Sequence, residues 1–270
     1  MTIGSCALNE YKSLIKKKNF DRWFPTPKYH EDVKQSYRGG FTYLNPEFAN
    51  KTIGNGIVLD VNSLYPSVMY DSYLPYGRPI FFWGEYEEDI LYPLYTQMFR
   101  CQFELKEGYI PTVQIRYGTD FNASEYLSSS NNLDVVLYLT NVDLEIFLAH
   151  YDVYNIEYFG GWKFKSTTGL FHDYIDKWYG IKTTAREEEN WGMYEISKGM
   201  LVSLYGKFGT LPQVKSKIPY MDNGVVNYKD DYPKKIDGIY IAMASFITSY
   251  SRQRIIQAIQ RVKNDYNSGK

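Results

Sequence analysis

Asp60-Val61-Asn62-Ser63-Leu64-Tyr65-Pro66-Ser67 is the stretch on which the reading of this chain turns. It completes residues 55–61 (NGIVLDV), a short β-branched apolar run behind a glycine turn, which predicts a buried strand with Asp60 at its end. Pro66 suits the first turn of a helix running through residues 67–69. A carboxylate at a strand end, followed at once by a helix N-terminus, suits metal-bound phosphate. Asp60 offers hard oxygen to Mg²⁺, and the free N–H groups of Ser63, Leu64 and Tyr65 face phosphate oxygens. Tyr65 can lie flat under a sugar ring. The competing reading is an aspartate that caps a helix.

Working outward, residues 198–209 (KGMLVSLYGKFG) predict a helix in which Lys198, Leu201, Val202 and Tyr205 share one face at i, i+3, i+4, i+7. A cation and a ring one to two turns apart let the cation meet phosphate while the ring stacks near a base pair. Ser203 and Gly206 are small enough for close backbone approach. An amphipathic helix with a snorkelling lysine explains the same residues. Lys182, at the end of the preceding predicted helix, would lie near Lys198 if the two helices are antiparallel, and the pair could clamp one polyanion; a lysine favoured by a helix C-terminus is the alternative. Residues 37–40 (Tyr37-Arg38-Gly39-Gly40) add a guanidinium fork beside two glycines that let a partner approach. A simple turn would look the same.

The 270 residues carry 30 basic and 31 acidic side chains, a formal net charge of −1, so no global polyanion-binding charge exists. The charge is segregated: eight Lys/Arg stand against four acids between positions 10 and 38, and five against one between 250 and 270. Such basic segments can meet phosphate locally or form solvated helix faces. With 44% apolar and 23% charged residues, disorder and coiled coil are excluded. Cys6 and Cys101 are too few and too distant for a disulfide framework or thiolate metal site, which predicts reduced thiols in a cytoplasmic compartment. His30, His150 and His172 have no metal-ligand spacing, and GxSxG, GxxxxGK[ST] and GxGxxG are all missing. No signal peptide or membrane span is predicted.

Along the chain, residues 72–169 predict mostly strand and loop, with YIPTVQI, DVVLYL and YNIEYF as strands. Residues 166–169 supply candidate N-caps for a helix over about 170–184, and a second helix covers about 190–206, ended by Gly206 or Gly209. Residues 211–235 read as a hairpin around Asn223-Gly224. A long helix follows, about 239–265. Strands and helices are segregated rather than alternating, which predicts α+β.

Together and in this order, these motifs resemble family B DNA polymerases, and within them the protein-primed branch of small tailed phages and linear plasmids. DVNSLYPS at 60–67 is similar to motif A, KGMLVSLYG at 198–206 to motif B, and YRGG at 37–40 to the YxGG/A element. RCQFELKEGYIPT at 100–112, TTGLFHDYIDKW at 167–178 and IKTT at 181–184 extend the likeness across the chain. The resemblance implies a right-hand polymerase fold. Residues 1–71 would be palm, 72–169 a first terminal-protein-region insertion, 170–209 fingers, 212–236 a second insertion, and 237–270 palm again. It implies a two-metal nucleotidyl transfer with Mg²⁺ or Mn²⁺ held by Asp60 and the Val61 carbonyl. Ser63, Leu64, Tyr65, Lys182, Lys198 and Tyr205 would bind nucleotide, with Tyr65 as a steric gate against a ribose 2′-OH. Tyr37, Arg38, Gly39, Gly40, Ser203 and Gly206 would contact DNA. The implied partners are template-primer DNA, dNTPs, a terminal priming protein and the remainder of a polymerase, acting in the cytoplasm of a bacterial host and without a membrane.

Three departures qualify this expectation. Motif B carries Val202 where the family has Asn, a YxDTD motif with a second metal-binding aspartate is not found, and neither a proofreading domain nor a thumb is recognisable. The chain is therefore expected to be an internal piece that polymerises negligibly by itself. The alternative is a non-catalytic module binding DNA or the priming protein.

Overall fold

A computed structural model describes residues 2–25, 30–114, 126–210, 213–214, 217–230, 234–235 and 240–267. The basic N-terminal stretch is helical: α1 (Ile3–Ile15), α2 (Lys17–Trp23) and α3 (His30–Lys34). The Thr2 hydroxyl accepts the Ser5 N–H and so caps α1. Next come α4 (Leu64–Asp71), β1 (Leu74–Trp83), β2 (Leu94–Leu105), β3 (Val135–Thr140), α5 (Asn141–His150) and β4 (Tyr151–Thr167). The paired helices α6 (His172–Glu187) and α7 (Trp191–Phe208) follow. The short strands β5 (Gln213–Val214), β6 (Lys217–Asp222), β7 (Val225–Asp230) and β8 (Lys234–Lys235) precede the long helix α8 (Ile241–Asn267). Helices and strands are segregated as α+β.

The main sheet is antiparallel in the order β1-β4-β2-β3. β4 reaches 17 residues because Gly160-Gly161 lets it pass against its neighbours: a Cβ at Gly161 would lie 1.7 Å from the Thr96 carbonyl oxygen. One face of this sheet and α5 bury Phe99, Phe103, Phe147 and Tyr151. A larger core is aromatic and helical. Phe24, at the end of α2, sits among Tyr11, Phe20, Phe171, Phe208 and Tyr240, with ring centroids 5.1–6.3 Å away. The first turns of α8, from Ile241 to Ile247, are buried in the same core. Ile256, farther along α8, meets Ile110 and Ile146.

Several expectations are corrected. Residues 55–61 form no strand, and Ile57, Val58 and Leu59 are exposed. No described strand lies beside them, and a β-branched run cannot make a sheet without a partner for its N–H and C=O groups. YIPTVQI contributes only an isolated bridge at Gln114 with Tyr126, and its last residue, Ile115, lies outside the described residues. Its backbone instead bonds to side chains: the Tyr151 hydroxyl accepts the Thr112 and Val113 N–H groups, and Gln260 accepts that of Ile110. Helix α5 was not foreseen, although Thr140 caps it through the Asp143 N–H. α6 starts after Phe171 without any side-chain cap, so the caps proposed at 166–169 are unused. α7 ends at Gly209, as one of the two alternatives had it, and Asn190 caps its start. The hairpin at 217–230 turns at Asn223-Gly224 as expected.

Candidate functional site

α4 begins after Ser63, a non-glycine residue at φ 54° and ψ 45°. This left-handed conformation costs roughly 1–2 kcal/mol in an L-residue, and such cost concentrates at functional turns. The turn presents Asn62 and Ser63 to α6. There the Lys182 ammonium donates to Asn62 Oδ1 at 3.3 Å and to Ser63 Oγ at 3.2 Å. The rings of Tyr179 and Tyr194 lie 5.7 and 5.9 Å from the same ammonium, within cation–π range. Lys182 thus lies within α6 rather than at its end, which corrects the sequence reading.

One turn into α4, the Tyr65 ring stacks on Tyr205 of α7, centroids 4.2 Å apart and planes at 22°. Burial raises the Tyr205 phenol pKa well above its ordinary value, and the neighbouring phenols of Tyr65 and Tyr37 add to the rise. α4 is itself held from α8, where Arg254 donates to Ser67 Oγ at 2.8 Å. The motif A turn and the motif B helix therefore meet, through one lysine and one tyrosine stack.

The other half of the expected lysine clamp is not drawn in. Lys198 is exposed and lies 4.0 Å from Glu195 on its own helix. The face predicted for α7 is also split. Its buried stripe is Ser197, Met200, Leu201, Leu204 and Phe208, whereas Val202 is 42% exposed. Ser203 does not offer open space, because Gly4 of α1 packs against it; Gly206 does.

Asp60 and Val61 are exposed at the mouth of this turn. A carboxylate and a carbonyl are hard oxygens suited to Mg²⁺, which keeps waters and phosphate oxygens for its remaining positions. Among the described residues no group of three or more His, Cys, Asp or Glu side chains comes together, at Asp60 or elsewhere. His150 and His172 are structural: each ring bonds a backbone carbonyl at 2.9 Å, of Ile110 and Tyr70 respectively.

Residues 37–40 are held in a way the sequence did not reveal. Arg252 of α8 donates from one terminal nitrogen to the Arg38 and Gly39 carbonyls, both at 2.8 Å. Its other nitrogens pair with Asp143 and Ser249, so all five guanidinium donors are used. Asp143 belongs to α5, and the two charged side chains are only 7% and 11% exposed. The Arg38 guanidinium meanwhile donates to the Gln114 carbonyl at 3.1 Å. In the sequence Arg252 was one base among five near the C-terminal end, and nothing in its spacing tied it to Asp143, 109 positions earlier.

Residues 1–268 match the family described as DNA polymerase type B, organellar and viral. The chain is 48% identical over 263 residues to the DNA polymerase of Bacillus phage phi29, covering 96% of this chain and 45% of that protein. It is 33% identical to the DNA polymerase of Streptococcus phage Cp-1, covering 47% of it. Its fold superposes with a TM-score of 0.91 on phi29 DNA polymerase complexed with primer-template DNA and incoming nucleotide substrates, at 48% identity over 98% of this chain and 46% of that one. The chain spans about half the length of the relatives it matches. With the motif A turn, the motif B helix and the tyrosine stack between them in place, this chain belongs to the organellar and viral type B DNA polymerases.

Proposed function

We propose that this chain is the nucleotide- and template-binding module of a protein-primed DNA polymerase, carrying out templated nucleotidyl transfer from dNTPs onto a protein primer or a DNA 3′-OH. The observation that carries the reading is the Lys182 ammonium resting on Asn62 and Ser63, beside Tyr65 stacked on Tyr205. A triphosphate entering this turn replaces two weak neutral acceptors with charged oxygens, a stronger charge-assisted bond. Lys198, on the adjacent helix, swings from Glu195 to the same triphosphate. Tyr65 supports the sugar and rejects a ribose 2′-OH, and Tyr205 bears on the new base pair. Ser63 and Leu64 turn backbone N–H groups toward the phosphates.

Asp60 and the Val61 carbonyl would hold Mg²⁺ or Mn²⁺, which supplies Lewis-acid activation of the primer hydroxyl and neutralises phosphate charge. Tyr37, Arg38, Gly39 and Gly40, with Ser203 and Gly206, follow the template backbone, because pairing reads the sequence and the protein needs only shape and phosphate contacts. In this reading residues 1–71 and 237–270 are palm and 170–209 fingers. Residues 72–169 and 212–236 are the insertions that meet the priming protein, in the cytoplasm of a bacterial host. One motif carboxylate holds two ions poorly, so the chain alone extends a primer negligibly.

Titration of dNTP into the chain in Mg²⁺ tests the core of this. Lys182→Ala is expected to weaken binding about tenfold, equivalent to ~1.4 kcal/mol. Binding that is indifferent to Lys182 overturns the reading.

A further inference from the structure

Residues 37–40 touch the nucleotide site as well as the template path. A Cβ built on Gly40 would lie 3.2 Å from the Tyr65 hydroxyl oxygen, closer than ordinary van der Waals contact, and, chain neighbours aside, no other heavy atom of the described residues lies within 4 Å. Neither side of this contact can easily retreat. The Tyr65 ring is stacked on Tyr205, and its helix is anchored by Arg254. The Gly40 side is tethered one and two residues earlier, where Arg252 holds the Gly39 and Arg38 carbonyls. Position 40 is exposed and its backbone lies outside the left-handed region, so an alanine there adds a methyl group without backbone strain.

We propose that Gly40 is a specificity-determining residue: by carrying no side chain it seats the Tyr65 ring at the height from which that ring separates deoxyribose from ribose triphosphates. The inference rests on the reading of Tyr65 as the group beneath the sugar. A barrier against one added hydroxyl depends on tenths of an ångström, because repulsion rises steeply inside contact distance. A methyl group at position 40 tips the phenol end of Tyr65 by that amount. The lysines that hold the triphosphate are untouched, so the change falls on the preference between the two sugars.

The experiment compares dCTP and CTP binding to the complete 270-residue chain in Mg²⁺, with thermal melting as the control for folding. In Gly40→Ala the preference for dCTP is expected to fall about tenfold, the scale set by one small group in a pocket, with the melting temperature unchanged. Tyr65→Phe removes the oxygen that the new methyl would strike. In that background Gly40→Ala is therefore expected to have no further effect, a non-additivity that general loosening would not produce. If Tyr65→Val abolishes the preference but Gly40→Ala leaves it intact, the inference falls and the gate reading stands. If Tyr65→Val leaves the preference intact, the gate reading falls and takes the inference with it.

Discussion

Asp60 owes its consequence to what surrounds it: an exposed carboxylate beside a strained turn, two residues before Asn62, on which the Lys182 ammonium rests. Asp60→Asn keeps the shape and removes the charge, so dNTP binding should lose its enhancement by Mg²⁺ while the melting temperature holds; calorimetry with and without metal checks both. Lys182 and Lys198 differ in preparation. Lys182 already rests on the motif A turn, whereas Lys198 faces solvent beside Glu195. Lys198→Ala should therefore cost less dNTP affinity than Lys182→Ala in the same titration. Val202 is exposed, so Val202→Asn should change stability by no more than about 0.5 kcal/mol and should improve nucleotide affinity if the family's amide matters there.

His150 carries a pH prediction. Burial, followed by the nearby Lys106 charge, lowers its pKa below 6.5, against an opposing hydrogen bond to the Ile110 carbonyl. The unfolded chain then binds more protons than the native one, so stability falls as pH drops from about 6.5 toward the lowered native value. Denaturant unfolding of the parent and His150→Gln across that window should show this slope weakened in the variant.

At the scale of elements, the Asp143–Arg252 pair ties α5 to α8 and both to residues 37–40. Thr140 and Ser249 also donate to Asp143, so the carboxylate is fully satisfied. Removing one partner leaves a buried charge without its counter-ion. Asp143→Ala should destabilise the chain by about 3–5 kcal/mol, measured by denaturant melting. The paired substitution Asp143→Leu with Arg252→Met should cost far less, since the penalty lies in the stranded charge. The α6–α7 pair is held differently, by α1: Lys177 of α6 pairs with Glu10, and Ile3 lies where a side chain on Gly199 would sit. The lysine-bearing helices thus lean on the N-terminal helix.

In the molecule as a whole, Phe24 sits where the helical layers converge, contacting rings from α1, α2, the start of α6, the end of α7 and the start of α8. It is 1% exposed. Phe24→Ala should cost about 3–5 kcal/mol and lower the melting temperature of the entire chain, whereas Val136→Ala, at an exposed position of the edge strand β3, should not. The high tyrosine content, ambiguous as composition, divides by place. Tyr11, Tyr174 and Tyr240 are core residues that hand their hydroxyls to the Leu170, Met200 and Gly77 carbonyls, while Tyr65 and Tyr205 form the half-buried stack of the site.

What the sequence determined by itself was local and ordered: the motif residues, their succession, the α6 and α7 helices, the hairpin at Asn223-Gly224 and the long last helix. Each of these is written in neighbouring residues, as a periodicity, a cap or a turn pair. Tertiary structure alone decided which distant groups meet. It left residues 55–61 unpaired, placed Lys182 but not Lys198 on the motif A turn, and joined Asp143 to Arg252 beneath Gly39. The reason is physical: a strand needs a partner, and a buried ion pair needs two chain segments brought together by burial of apolar surface elsewhere. Neither requirement leaves a mark at the position that depends on it.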